Sequence, residues 1–235
     1  MLHVIENEER SAEENMRFDE KLLLKTDPYS NPILHLYKWK EPSLTHGYFL
    51  DPNKYLNISE LKKQGLNFGK RPTGGGIIFH TWDVAFAVII PSGHSGYSLN
   101  TLENYALINE RVKEAVAKLI EGEKFSLLPI DPIDSRVSVS NFCMAKPTIY
   151  DVMLGDRKIA GAAQRRKKNA FLHQGSISLA QPDFNLLKKV LLDSEVMEAM
   201  RLNTFAPFLG DWRSEEFNWV KKKLQAHLIE AFSSL

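Results

Sequence analysis

The stretch Lys70-Arg71-Pro72-Thr73-Gly74-Gly75-Gly76-Ile77-Ile78-Phe79-His80 sets three consecutive glycines behind two cations and ahead of an apolar run. Glycine has no Cβ and reaches positive φ, so backbone N–H groups there can converge on a ligand oxygen. A plain glycine-rich β-turn fits the same triplet. Ile77-Ile78-Phe79 and Val84-Ala85-Phe86-Ala87-Val88-Ile89-Ile90 read as strand, so the loop is expected to be held by sheet.

Working outward, Ser11 and Glu14 form a capping box that opens a helix through Met16, Leu22 and Leu23, closed by Pro28 and Pro32. Residues 33–40 read as strand, and Leu61 to Gln64 as the end of a short helix before Gly65. A long helix starts from a cap at Asn100 or Thr101. Its Tyr105, Ile108, Val112, Val116 and Leu119 recur at steps of three and four, an inward face. Residues 127–179 read as strand-rich, with Gly155-Asp156 as a II′ turn between Asp151–Leu154 and Arg157–Ala160. Helices are expected at about 183–193, 194–201 and 214–233, the last capped by Ser214. Strands in the middle and helices at both ends give an α+β class: a mixed β-sheet covered by helices.

The chain has 235 residues, 43% of them hydrophobic, and a net charge of +1. That suits one sizeable core and gives no global reason to expect nucleic acid or membrane as partner. Cys143 is the single cysteine, so no internal disulfide forms, which fits a reducing cytoplasm. The N-terminus lacks the apolar core of a signal peptide, and no stretch approaches a membrane span. The run Arg165-Arg166-Lys167-Lys168 fits either a solvated hairpin tip or a docking site for an acidic carrier.

A second segment, Gly155-Asp156-Arg157-Lys158-Ile159-Ala160-Gly161-Ala162-Ala163-Gln164-Arg165-Arg166, followed by Phe171 to Ile177, joins the glycine loop in a larger pattern. Together they resemble the lipoate/octanoate attachment enzymes: lipoate–protein ligases, octanoyltransferases and, more distantly, biotin–protein ligases. Residues 11–20 look like the family's opening helix. Leu34 to Trp39 and Thr45 to Phe49 look like its first strand pair. The resemblance covers most of the chain and implies one biotin/lipoate ligase-type catalytic domain over 1–235, without a C-terminal accessory domain.

The chemistry then divides two ways. Cys143, Pro147, Tyr150, Asp151 and Lys158 match the layout of the cysteine-dependent octanoyltransferase branch. A thiolate near a cation can accept an acyl group from a carrier-protein thioester and pass it to a lysine of a lipoyl domain, with no ATP and no cofactor. Lys158 would support the developing oxyanion. An isolated strand lysine is otherwise exposed, and a lone cysteine is otherwise a small buried hydrophobe. The ligase alternative uses free lipoate or octanoate, ATP and Mg²⁺, with loop N–H groups on the phosphate and Asp151 on the metal. Tyr150-Asp151 departs from that branch's usual Asn-Asp, and the acid expected directly after His80 is shifted or lost. A non-catalytic lipoate-binding module is the third class.

The resemblance assigns acyl or adenylate contacts to Arg71, Thr73, Gly74, Gly75, Gly76, His80, Gly161 and Ala162. His80 is a candidate general base, and His173 fits a hydrogen-bonded core position better. The acyl chain needs a tunnel, expected along Ile77, Phe79, Val88 and residues near Ala162. Zinc-type ligand spacing is absent.

Overall fold

The computed structural model describes residues 1–6, 8–131 and 141–235. Its strands are β1 (His3–Glu6), β2 (Ile33–Leu36), β3 (Ser43–His46), β4 (Asn67–Lys70), β5 (Ile77–His80), β6 (Asp83–Pro91), β7 (Phe125–Leu127), β8 (Val152–Leu154), β9 (Arg157–Arg166) and β10 (Ala170–Ser178). Its helices are α1 (Ala12–Lys25), α2 (Ile58–Lys63), α3 (Thr101–Leu119), α4 (Phe184–Val190), α5 (Ser194–Asn203) and α6 (Glu215–Phe232).

A seven-stranded sheet runs β1-β2-β6-β10-β9-β8-β7. Its β1–β2 pair is parallel and the other pairs are antiparallel. A smaller sheet runs β4-β3-β5. This is the mixed α+β architecture expected. Every residue of β6 is buried, and its alternation splits two cores. Val84, Phe86, Val88 and Ile90 join the large core, where α3 and α6 pack. Ala85, Ala87 and Ile89 face the smaller core with Met16 and Leu23 of α1. A one-residue slip would exchange those two faces, so the register is strongly specified.

Local signals set the element ends. The Ser11 hydroxyl accepts from the Glu14 N–H, and the Glu14 carboxylate accepts from the Ser11 N–H at 2.9 Å. Asn100 and Ser214 cap α3 and α6. Gly155 stands at φ +56, and Tyr150 is the sole non-glycine residue at positive φ among the described residues. Positive φ at the first central residue only is the II′ pattern. The expected strand-rich region holds β8, β9 and β10, while its residues 132–140 lie outside the described ones.

One expectation fails. β2 and β3 are not a pair: β2 lies between β1 and β6, and β3 between β4 and β5. The reason is in the link. Arg10 N–H donates to Lys38 O at 3.1 Å and Lys40 N–H to Arg10 O at 3.0 Å, so the chain after β2 is bonded to the N-terminal segment. β3 then starts a sheet of its own. No helix among the described residues is long and apolar enough to cross a membrane.

Candidate active site

The glycine loop joins β4 to β5, two strands of the small sheet, so sheet does hold it. Arg71 folds back inside its own loop. Its Nη2 donates to Gly74 O at 3.0 Å and Gly76 O at 2.7 Å, and its Nη1 to Thr45 Oγ1 at 2.8 Å. Thr73 Oγ1 donates to Gln174 Oε1 on β10 at 2.8 Å. Gly75 sits at φ +83, where a side chain would be strained. A Cβ on Gly76 would lie 2.2 Å from Asn141 O, so the next segment can approach only because the residue is glycine.

That next segment carries Cys143. Ile77 N–H donates to Asn141 O at 2.7 Å and Cys143 N–H to Ile77 O at 3.2 Å, a short parallel bridge onto β5. It brings the half-buried Cys143 Sγ to 3.2 Å from Gly76 N–H, which donates to it. Burial lowers the Arg71 guanidinium from its usual range, and the adjacent Cys143 acts in the opposite sense.

Lys158 follows the β8–β9 turn and is buried. Its Nζ donates to Cys143 O at 2.7 Å and lies 2.6 Å from Asp151 Oδ2. The same Oδ2 accepts from Thr148 N–H at 2.6 Å and Thr148 Oγ1 at 3.0 Å. Burial raises the Asp151 carboxyl above its ordinary range, with Lys158 and Thr148 pulling it back. A carboxylate already ringed by an ammonium and two other donors does not match the oxygen-rich shell of a magnesium ion.

Cys143, Lys158 and Gly74 to Gly76 line one cavity of about 250 Å³, with Tyr105, Phe142, Lys146, Thr148, Ala162, Ala163 and Gln164. Sequence reasoning placed Tyr105 on the apolar face of α3 and passed over Lys146, Thr148 and Gln164. The signal for Tyr105 was its polar tip inside an otherwise aliphatic stripe. Its phenol accepts the Gln164 backbone N–H, and burial pushes its pKa well up, so it stays protonated.

Several assigned contacts sit elsewhere. Gly161 is not in the cavity wall: a Cβ there would lie 2.3 Å from Lys158 Cε and 2.4 Å from Nζ, so it makes room for that lysine. Thr73 and Arg71 stand behind the loop rather than in the cavity lining. Ile77, Phe79 and Val88 belong to the large core, not to a tunnel wall.

His80 also lies outside the cavity. Its Nε2 lies 2.8 Å from Thr45 Oγ1, its Nδ1 donates to Asp83 Oδ2 at 2.8 Å, and its ring stacks on Trp39. The acid expected directly after His80 is therefore shifted by two positions, to Asp83, and still reaches the imidazole. His173 is a core residue. Gln164 Nε2 donates to its Nδ1 at 2.8 Å, its ring stacks on Phe86, and burial lowers its pKa to about 3. In the basic run, Arg165 donates to Pro72 O at 2.8 Å and Arg166 to Leu99 O at 2.5 Å, so each has one hydrogen bond to the protein's own loops.

The family model of the lipoyl protein ligase A/B catalytic domain matches residues 11–205. The chain belongs to this family. Its similar curated relatives carry the name octanoyltransferase LipM. The one from Bacillus subtilis is 30% identical over 193 residues, covering 80% of this chain and 69% of the relative. The one from Carboxydothermus hydrogenoformans is 29% identical over 230 residues, covering 94% and 83%. The one from Geobacillus kaustophilus is 33% identical, and the match covers 60% of that longer protein. Among solved structures, protein Ta0514 of T. acidophilum with bound lipoic acid superposes with a TM-score of 0.72 at 23% identity, covering 99% of this chain and 84% of that one. A lipoate-protein ligase A bound with ATP gives 0.72 at 23% identity, covering 99% and 83%. The catalytic-domain fold is thus shared, and this lipoyl ligase A/B-type chain is an enzyme of the lipoylation class.

Proposed function

We propose that this enzyme transfers an octanoyl or lipoyl group from a carrier-protein thioester to the lysine of a lipoyl domain, through an acyl-enzyme on Cys143 and without ATP. The observation that carries this reading is the meeting of Cys143 Sγ, the Gly76 N–H and Lys158 in one cavity. The relatives named octanoyltransferase support it.

In the first half-reaction the Cys143 sulfur attacks the thioester carbonyl. A C–S bond forms to Cys143, the bond to the donor sulfur breaks, and the donor leaves as a thiol carrying the proton that Cys143 gave up. Exchange of one thioester for another is close to isoenergetic, so no activating nucleotide is required. In the second half-reaction the acceptor amine attacks the acyl-enzyme. A C–N bond forms, the C–S bond breaks, and an amine proton returns to the thiol. Lys158, held by Cys143 O and Asp151, places positive charge beside the carbonyl where negative charge develops. Ala162 and Ala163, small residues in the cavity wall, leave room for the acyl chain.

The reading makes residues 1–235 a single catalytic domain working in the cytoplasm on lipoyl-domain proteins. The test is the intact mass of an apo lipoyl domain after incubation with octanoyl-carrier protein and no ATP. One added octanoyl group is expected, lost in Cys143→Ala. Transfer only with free lipoate, ATP and Mg²⁺, and undiminished in Cys143→Ala, would replace this reading with a ligase. Lipoate binding with no transfer under either condition would leave a binding module.

A further inference from the structure

A second concavity, of about 650 Å³, opens between residues 37–42 and the first turns of α6, and it shares no lining residue with the Cys143 cavity. Five cationic side chains line it against two acidic ones, Glu9 and Glu41, on a chain whose net charge is only +1. Two of those cations are engaged: Lys38 lies 3.8 Å from Glu6, and Arg213 lies 3.3 Å from Asp183. The other three, Lys40, Lys221 and Lys222, have no carboxylate within ion-pair distance among the described residues. Burial lowers the Lys221 ammonium from the usual lysine range, with Asp83 pulling it back.

Trp39, backed by the His80 ring at 4.5 Å, and Trp212 supply apolar walls.

The arrangement favours one class of occupant. Lys40 sits in the bend between Trp39 and β3, and Lys221 and Lys222 sit on the facing helix, so the charges are spread along two walls. Spread cations fit several carboxylates on a chain better than a single phosphate. We propose that this groove docks an extended acidic segment of a partner protein, with its carboxylates on Lys40, Lys221 and Lys222 and its apolar side chains on Trp39 and Trp212. The inference concerns binding alone and does not depend on the acyl-transfer reading.

The test uses the full chain. A blocked glutamate-rich peptide with interspersed leucine is titrated in, followed by tryptophan fluorescence and calorimetry. A glutamine-for-glutamate copy serves as control. The acidic peptide is expected to bind, and to weaken about tenfold or more in a Lys40→Glu/Lys222→Glu variant and at high salt. Both substituted lysines are exposed, so the thermal midpoint of the variant should match the parent. Absence of binding, equal binding of the glutamine copy, or an unaffected double variant would each overturn the proposal. So would a single-stranded oligonucleotide that displaces the peptide and binds more tightly, which would assign the groove to nucleic acid.

Discussion

Lys158 Nζ lies 2.7 Å from the carbonyl oxygen of Cys143, so the buried ammonium grips the cysteine by its backbone. The same Nζ is paired with the buried Asp151 at 2.6 Å. Removing one partner of a buried pair leaves an uncompensated charge and costs about 3–5 kcal/mol. Lys158→Met is therefore expected to lower the urea midpoint strongly and to abolish transfer. Adding Asp151→Asn should recover most of the stability and none of the activity. A double variant as unstable as the single one would show that the pair is not the source of the loss.

The three glycines of the loop should respond differently to alanine. Nothing lies within 4 Å of a Cβ on Gly74, so Gly74→Ala should change stability by less than about 0.5 kcal/mol. Gly75→Ala meets the left-handed penalty of about 1–2 kcal/mol. Its new methyl would also sit 3.6 Å from Cys143 Sγ, so iodoacetamide should alkylate the cysteine more slowly. Gly76→Ala meets backbone at 2.2 Å and should be the most damaging of the three. Urea midpoints and alkylation rates on the three variants check that order.

His173 makes stability depend on pH. Burial lowers its pKa to about 3, against an ordinary 6.5 in the unfolded chain. Between those values the unfolded state binds a proton that the folded state does not, so stability rises with pH. The contribution is complete above pH 6.5 and is lost as pH falls toward 3. Going from neutral pH to pH 5 should cost about 2 kcal/mol through this residue. His173→Gln should flatten the profile by that amount. Parallel denaturation profiles for the two proteins would remove His173 as the cause.

Thr45 joins the loop arginine to His80 through one hydroxyl, which accepts from Arg71 Nη1 and lies 2.8 Å from His80 Nε2. Thr45→Val keeps the shape and strands two buried polar groups, at about 1–3 kcal/mol. Thr45→Ser keeps the hydroxyl and should lose clearly less. Denaturation of both variants decides it, and equal losses would assign the effect to packing.

The sequence by itself determined the parts of this protein whose forces act within a few residues. Ser11, Asn100 and Ser214 start their helices because a side-chain oxygen reaches an N–H two or three residues on. Gly155 turns the β8–β9 hairpin because it accepts φ +56. The alternating residues of β6 show in the sequence as an apolar run, and the glycine loop declares itself by composition. Resemblance carried the reading further, to the family and to Cys143 and Lys158 as partners. What only the tertiary structure decided depends on contacts between distant residues. Cys143 reaches Gly76 across 67 positions because a parallel bridge to Ile77 forms where a Cβ would have blocked it. β2 and β3 part company because Arg10 captures the link between them. His80 leaves the cavity because Thr45 and Asp83 hold its ring on the Trp39 side. Gly161 serves Lys158 rather than a ligand, and Tyr105 turns its phenol into the cavity, because side-chain direction is fixed by which faces of the sheet and helix are already covered. Periodicity records that a face is buried, while packing alone selects the neighbour that buries it.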